Sequence, residues 1–145
     1  MYLPDVNVWL ALVFEAHMHH RAAVEWFDTL NPKVCGFCRF TQQGLLRLST
    51  NQSVMKDDAL TLAAAWKNYD ALLRDDRVFF AQEPVGLEQR WRRRTQGGNY
   101  SHRVWSDAYL VAFAEAAGFT NVSFDQGFQA YDGIKSLVLR HSSGR

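Results

Sequence analysis

Three carboxylates and one amide stand where a folded chain of this pattern could gather them. Asp5 closes Leu3-Pro4-Asp5-Val6-Asn7, Asp107 lies in Ser106-Asp107-Ala108-Tyr109-Leu110, and Asp125 follows the apolar Val122-Ser123-Phe124 just before Gln126-Gly127. Asp107 is three or four residues from Val104, Leu110 and Val111, so it points from the buried face of a helix, where an unpaired carboxylate is costly. Asp5 and Asp125 each end a short apolar strand, the place where open parallel sheets hold ligand groups, and Asn7 offers an amide oxygen beside Asp5. Taken singly these residues have ordinary roles: a cap or dipole partner near a helix start, or turn chemistry before glycine. Taken together, carboxylates that repel one another and raise one another's pKa call for a hard divalent cation between them. Mg²⁺ or Mn²⁺ fits best. Such an ion acidifies water and neutralises charge developing at a phosphodiester.

A second feature points to the polymer that carries such a bond. Between Gln89 and Ser106 there are five arginines (Arg90, Arg92, Arg93, Arg94 and Arg103), His102 and no acidic residue, interleaved with Trp91, Tyr100 and Trp105. Twelve of the sixteen basic residues in the chain are arginine, the side chain suited to bidentate phosphate contact and base stacking. A net charge of +1 therefore hides a local cationic patch, which reads either as a nucleic-acid contact or as a solvated helix face. Trp91 and Trp105 are the candidates for stacking on a base; the other tryptophans are expected in the core.

The elements that must position these groups alternate. Short strands are expected at 2–5, 34–40, 78–81, 122–124 and 137–139, and helices at 8–14, 21–30, 41–49, 53–74 (the longest), 87–93 and through the Asp107 segment to Gly118. Pro4, lacking a ladder donor, belongs at the strand start or an unpaired position. The segment from Thr95 to Asn99 is the most loop-like, and the chain ends in a polar tail. This order predicts an α/β/α three-layer fold with a mostly parallel sheet. With 145 residues, 48% hydrophobic and 14% aromatic, the chain is expected to form one domain, residues 1–145, with a full core. The apolar run at 8–14 is far shorter than the about 20 residues of a membrane span, and no basic leader precedes it, so a soluble cytoplasmic protein is expected. Cys35 and Cys38 read as core thiols rather than a redox or zinc pair. His17, His19 and His20, in a polar joint between helices, and the charged Asp57, Asp58, Asp75, Asp76, Asp132 and Glu88 read as ordinary joint, turn and helix-end residues.

The ordered set Asp5-Val6-Asn7, Thr41-Gln42-Gln43-Gly44-Leu45-Leu46-Arg47-Leu48, Ser106-Asp107-Ala108-Tyr109-Leu110 and Phe124-Asp125-Gln126-Gly127-Phe128 resembles a PIN domain, and more narrowly the VapC toxins of toxin-antitoxin pairs. The resemblance implies a metal-dependent endoribonuclease with Asp5, Asp107 and Asp125 as metal ligands and Asn7 and Ser106 as supporting polar groups. It implies a cognate VapB-type antitoxin, a homodimeric toxin, and an RNA of the translation machinery, tRNA or rRNA, as substrate. One position departs: where many PIN domains carry glutamate, Gln42 stands here, an acceptor without charge. That leaves a non-catalytic PIN-like domain binding RNA or a partner protein as the alternative. A receiver-like signalling domain fits poorly, because Asp5 has no acidic neighbour and Lys135 precedes the last strand.

Overall fold

The computed structural model describes residues 1–98 and 101–140. Asn99 and Tyr100, expected in the loop and the cationic patch, and the polar tail after residue 140 lie outside them. Five strands, β1 (Tyr2–Pro4), β2 (Cys35–Phe37), β3 (Val78–Phe80), β4 (Thr120–Ser123) and β5 (Lys135–Val138), form one sheet in the order β3-β2-β1-β4-β5. Every pairing is parallel. The helices are α1 (Val6–Val13), α2 (His20–Phe27), α3 (Arg39–Ser49), α4 (Gln52–Met55), α5 (Leu62–Arg74), α6 (Leu87–Arg94) and α7 (Val104–Ala117).

The strands alternate sides, and this divides the core in two. Val78 and Phe80 face one cluster with Trp9, Phe37, Leu45 and Tyr69, while Phe79 packs on the other with Leu3, Leu110, Phe113 and Phe128. In the first cluster Trp9 stacks on Phe37 with ring centroids 3.7 Å apart, and both rings are fully buried. Each such ring contributes about 1.5–3 kcal/mol by leaving water. Helices α1, α2, α3 and α5 therefore cover one face and α6 and α7 the other, giving the expected three layers.

This topology places a switch point in the middle of the sheet. From β1 the chain moves outward to β2 and β3, then returns to the opposite side of β1 to lay down β4 and β5. The loops after β1 and β4 thus diverge and leave a crevice at their carboxyl ends. Pro4 is in register with Val122, so Asp5 and Ser123 come level at that edge. Gly44 lets α3 approach the start of α1: a side-chain carbon there would stand 2.5 Å from Val6 Cγ2, in the residue next to Asp5. At the end of α7, Gly118 takes φ 72°, the left-handed turn that stops the helix where its apolar pattern stops.

Several expected boundaries are corrected. The helix expected over 53–74 is broken: α4 gives way to a short 3-10 turn (Lys56–Asp58), and α5 starts afresh where the Thr61 hydroxyl accepts from Ala64 N–H at 3.1 Å. The longest helix is consequently α7. The strand expected over 34–40 ends at Phe37, because Cys38 caps α3 and its N–H donates to Thr41 Oγ1 at 3.0 Å. The last two strands begin two residues earlier than expected. Both cysteines are buried and free, as expected of core thiols, with burial pushing each thiol pKa up. Of the tryptophans expected in the core, Trp9 is buried and Trp26 is half-buried against it, whereas Trp66 is exposed; of the two stacking candidates, Trp91 is half-buried and Trp105 exposed. Among the described residues no helix is long and apolar enough to cross a membrane.

Candidate active site

Each of the three carboxylates sits at the amino end of a helix or helical turn. Asp5 caps α1 and accepts from Val6 N–H at 2.7 Å. Asp107 lies in the first turn of α7. Asp125 caps the 3-10 turn Gln126–Ala130, accepting from Gly127 N–H at 2.8 Å. Exposed backbone N–H groups and the helix dipole favour negative charge at all three places.

Ser123, which no motif in the sequence marks, ties the crevice together. Its hydroxyl donates to Asp5 Oδ2 at 3.2 Å and accepts from Asn7 Nδ2 at 3.2 Å and from Asp125 N–H at 2.9 Å. Asn7 closes the loop by accepting from Phe124 N–H at 3.4 Å. Ser123 is 1% exposed, so a polar side chain at this strand position has to find its partners inside the protein. The only sequence signal for it was a hydroxyl residue ending an apolar strand one position before Phe124-Asp125.

The electrostatics reflect crowding of like charge away from water. Asp5 has its pKa raised to about 6 against an ordinary value of 3.8: burial is the main cause, Asp107 and Asp125 add to it, and the bonds from Val6 and Ser123 oppose it. Asp107 is also raised, by burial first and Asp125 second, with Arg103 opposing. Arg103 Nη1 lies 3.8 Å from Asp125 Oδ2. Three oxygen-only donors, partly desolvated and mutually repelling, fit a hard divalent cation in kind. Among the described residues no three His, Cys, Asp or Glu side chains stand close enough together to form a ready ligand set.

The remaining candidates divide. Gln42 is 7% exposed and its amide oxygen accepts from Arg39 Nη1, so its acceptor is already engaged by a cation. Ser106 turns back into its own helix, donating to the Arg103 carbonyl at 3.1 Å, rather than toward Ser123. Arg90 and Arg94, one helical turn apart on α6, both meet Glu115 of α7, at 3.4 and 2.7 Å. Glu115 is 21 residues beyond Arg94, so nothing local in the sequence announces this clasp. Arg92 is exposed and pairs with Glu88 one turn back at 3.1 Å, and Arg93 is exposed and forms no ion pair among the described residues. In the histidine joint, the His19 ring stacks on Phe124 at 4.3 Å and His20 Nδ1 meets the Ala11 carbonyl at 2.7 Å.

Comparison with known proteins agrees with this geometry. The PIN domain family model matches residues 2–134. Ribonuclease VapC41 of Mycobacterium tuberculosis is 47% identical over 144 residues, covering 96% of this chain and 99% of the relative. Ribonuclease VapC38 of the same organism is 32% identical over 127 residues, 88% of this chain and 86% of the relative. The crystal structure of Mycobacterium tuberculosis VapC20, described as a sarcin-ricin loop cleaving toxin, superposes with a TM-score of 0.67 at 21% identity, covering 92% of this chain and 96% of that one, which shows the shared fold. The fold, the family match along most of the chain and the near-full-length relatives lead to one assignment: the chain belongs to the PIN-domain family, in its VapC branch.

Proposed function

We propose that the protein is a metal-dependent endoribonuclease, the toxin of a toxin-antitoxin pair, acting in the cytoplasm on an RNA of the translation machinery. What supports the reading is the placement of Asp5, Asp107 and Asp125 at helix or helical-turn amino ends, near enough for Asp107 and Asp125 to raise the pKa of Asp5, with Arg103 the one cation that approaches them among the described residues. Asp5, Asp107 and Asp125 would hold Mg²⁺ or Mn²⁺, which when bound supplies Lewis-acid charge at the scissile phosphate and acidifies water there. Asn7 and Ser123 hold Asp5 and the Asp125 backbone in place. Ser106 supports the first turn of α7 under Asp107. Arg103 approaches the same carboxylates and would contact the substrate phosphate once a cation takes over their charge.

The relatives named as VapC ribonucleases support the reaction class, and structural neighbours that include VapBC2 of Rickettsia felis bound to promoter DNA support a VapB-type antitoxin. The Gln42–Arg39 bond favours the second reading, a PIN-like domain that binds RNA without cutting it, because the amide brings no charge and its oxygen already accepts from a cation. Incubating total bacterial RNA with the antitoxin-free protein separates the two. Discrete fragments that need Mg²⁺ or Mn²⁺, disappear with chelator and are absent with Asp5→Ala are the expected result; RNA binding with no metal-dependent cutting would install the second reading.

The arginines make a separate expectation. Arg92 and Arg93 are the exposed cations of α6, whereas Arg90 and Arg94 share Glu115 and are held against α7. Replacing Arg92 and Arg93 together with alanine should lower the slope of log affinity against log salt by about 1–2, close to the ~0.7 per phosphate contact of a single strand. An unchanged slope would take both residues off the phosphate path.

A further inference from the structure

Between α6 and α7 lies a cleft of about 320 Å³ lined by Glu88, Trp91, Arg92, Thr95, Gln96 and Trp105. Its two indoles meet edge to face, with centroids 6.2 Å apart at 85°. Trp91 is fixed: its Nε1 donates to the Trp105 carbonyl at 3.0 Å, and its ring stands edge-on to Tyr109 at 5.5 Å. Trp105, in contrast, is 58% exposed. The large aromatic face left open beside this rigid partner is available for stacking.

The walls describe that occupant. Glu88 and Arg92 form a charge pair at the rim, offering an acceptor and a donor edge side by side. Gln96 donates its amide to the Arg92 carbonyl, which leaves its amide oxygen without a partner among the described residues. The volume suits one planar heterocycle and excludes a duplex. Arg93 lies exposed beside it on α6, and Trp105 lies two residues from Arg103 and two from Asp107 on the chain. An apolar peptide anchor would gain nothing from the ion pair and the free amide oxygen; a nucleobase uses both, together with the open indole face.

We infer that this cleft is a nucleobase pocket, in which one unstacked base of single-stranded RNA lies on Trp105 while its edge meets Glu88, Arg92 and Gln96. The inference rests on the ribonuclease reading for the source of the RNA, and makes the cleft a determinant of which nucleotide beside the cut is preferred. Stacking is sequence-tolerant, whereas the polar edge groups discriminate among bases.

The test is fluorescence anisotropy of a labelled single-stranded 12-nucleotide RNA with the full chain in chelator, so that no cutting intervenes. Trp105→Ala should weaken binding ~5- to 150-fold, the range that one stacked base is worth, and Trp105→Phe should restore most of it. The Trp105 carbonyl that holds Trp91 is retained in both variants, and a thermal melt checks that both fold. An abasic substitution at one position of the RNA should cost the wild type a similar factor and cost Trp105→Ala little. Equal affinity of the alanine variant, or abasic costs that are the same in both proteins, would overturn the pocket. Loss of self-association in Trp105→Ala with unchanged RNA affinity would overturn it in favour of a second copy of this chain. Metal-dependent cleavage of total RNA by the same preparations is scored separately: cutting with no Trp105 effect sinks the pocket alone, whereas an abasic-coupled Trp105 effect with no cutting sinks the nuclease reading alone.

Discussion

Asp107→Asn is expected to leave a folded protein whose metal-dependent RNA cleavage falls by about 10²- to 10³-fold or more, the scale on which loss of one group facing developing charge is felt. Asparagine keeps the size and the first-turn position but removes the charge that a hard cation requires. The fold should hardly notice. At the amino end of α7 the carboxylate contributes about 0.3–1 kcal/mol through the helix dipole, while burial and Asp125 push its pKa up, an opposing cost that the amide escapes. A thermal melt within a few degrees of wild type, beside single-turnover cleavage of a defined RNA, is the measurement. Equal cleavage by the variant would remove Asp107 from the site, and a collapsed melt would make it a structural residue.

The residues around Asp107 show why some of this site was legible and some was not. Helix α7 could be read because its apolar run, buried almost continuously from Ala108 to Ala114, is too long for a strand and Gly118 stops it, and Asp5 and Asp125 because apolar runs of strand length end at them. Ser123 could not, since its importance comes from register: only when Pro4 and Val122 pair does its hydroxyl meet Asp5. The break between α4 and α5 carried a signal in Thr61, a good capping residue, but without proline or glycine nearby the apolar pattern ran straight over it. Cys38 hid the end of β2 in a different way, because an apolar thiol reads as strand and acts as a cap. The cationic patch was visible as composition, while its division into a clasp on Glu115 and exposed Arg92 and Arg93 depends on two helices packing side by side. Trp66 and Trp105 follow the same rule: helical spacing marks a face, and the packing of neighbours decides whether that face is covered.

The raised pKa of Asp5 makes stability and cation binding depend on pH in opposite directions, and this gives the second large effect. In the metal-free protein the folded state holds the Asp5 proton up to about 6, whereas the unfolded chain releases it near 3.8. Below 3.8 both states are protonated and the full stability is present. Between these values the folded state binds more protons, so stability falls as pH rises, by up to ~1.4 kcal/mol per unit and of the order of 3 kcal/mol in all, and above about 6 the penalty is complete. Asp5→Asn lacks this titration, though its amide can still accept from Val6 N–H. The stability difference between the two proteins in chelator should therefore move toward the variant as pH rises from 4 to about 6.5, and then stop changing. A divalent cation acts on the ionised form. At pH 7.5, Mg²⁺ should raise the melting temperature of the wild type and leave Asp5→Asn unmoved, and the rise should shrink as pH falls below about 6, where a proton competes for the same oxygens. Cleavage should lose about tenfold per unit of pH in that range, following the ionised fraction of Asp5. Parallel pH profiles for the two proteins in chelator would take the buried charge away from Asp5, and an Mg²⁺ shift of equal size in the variant would place the cation elsewhere.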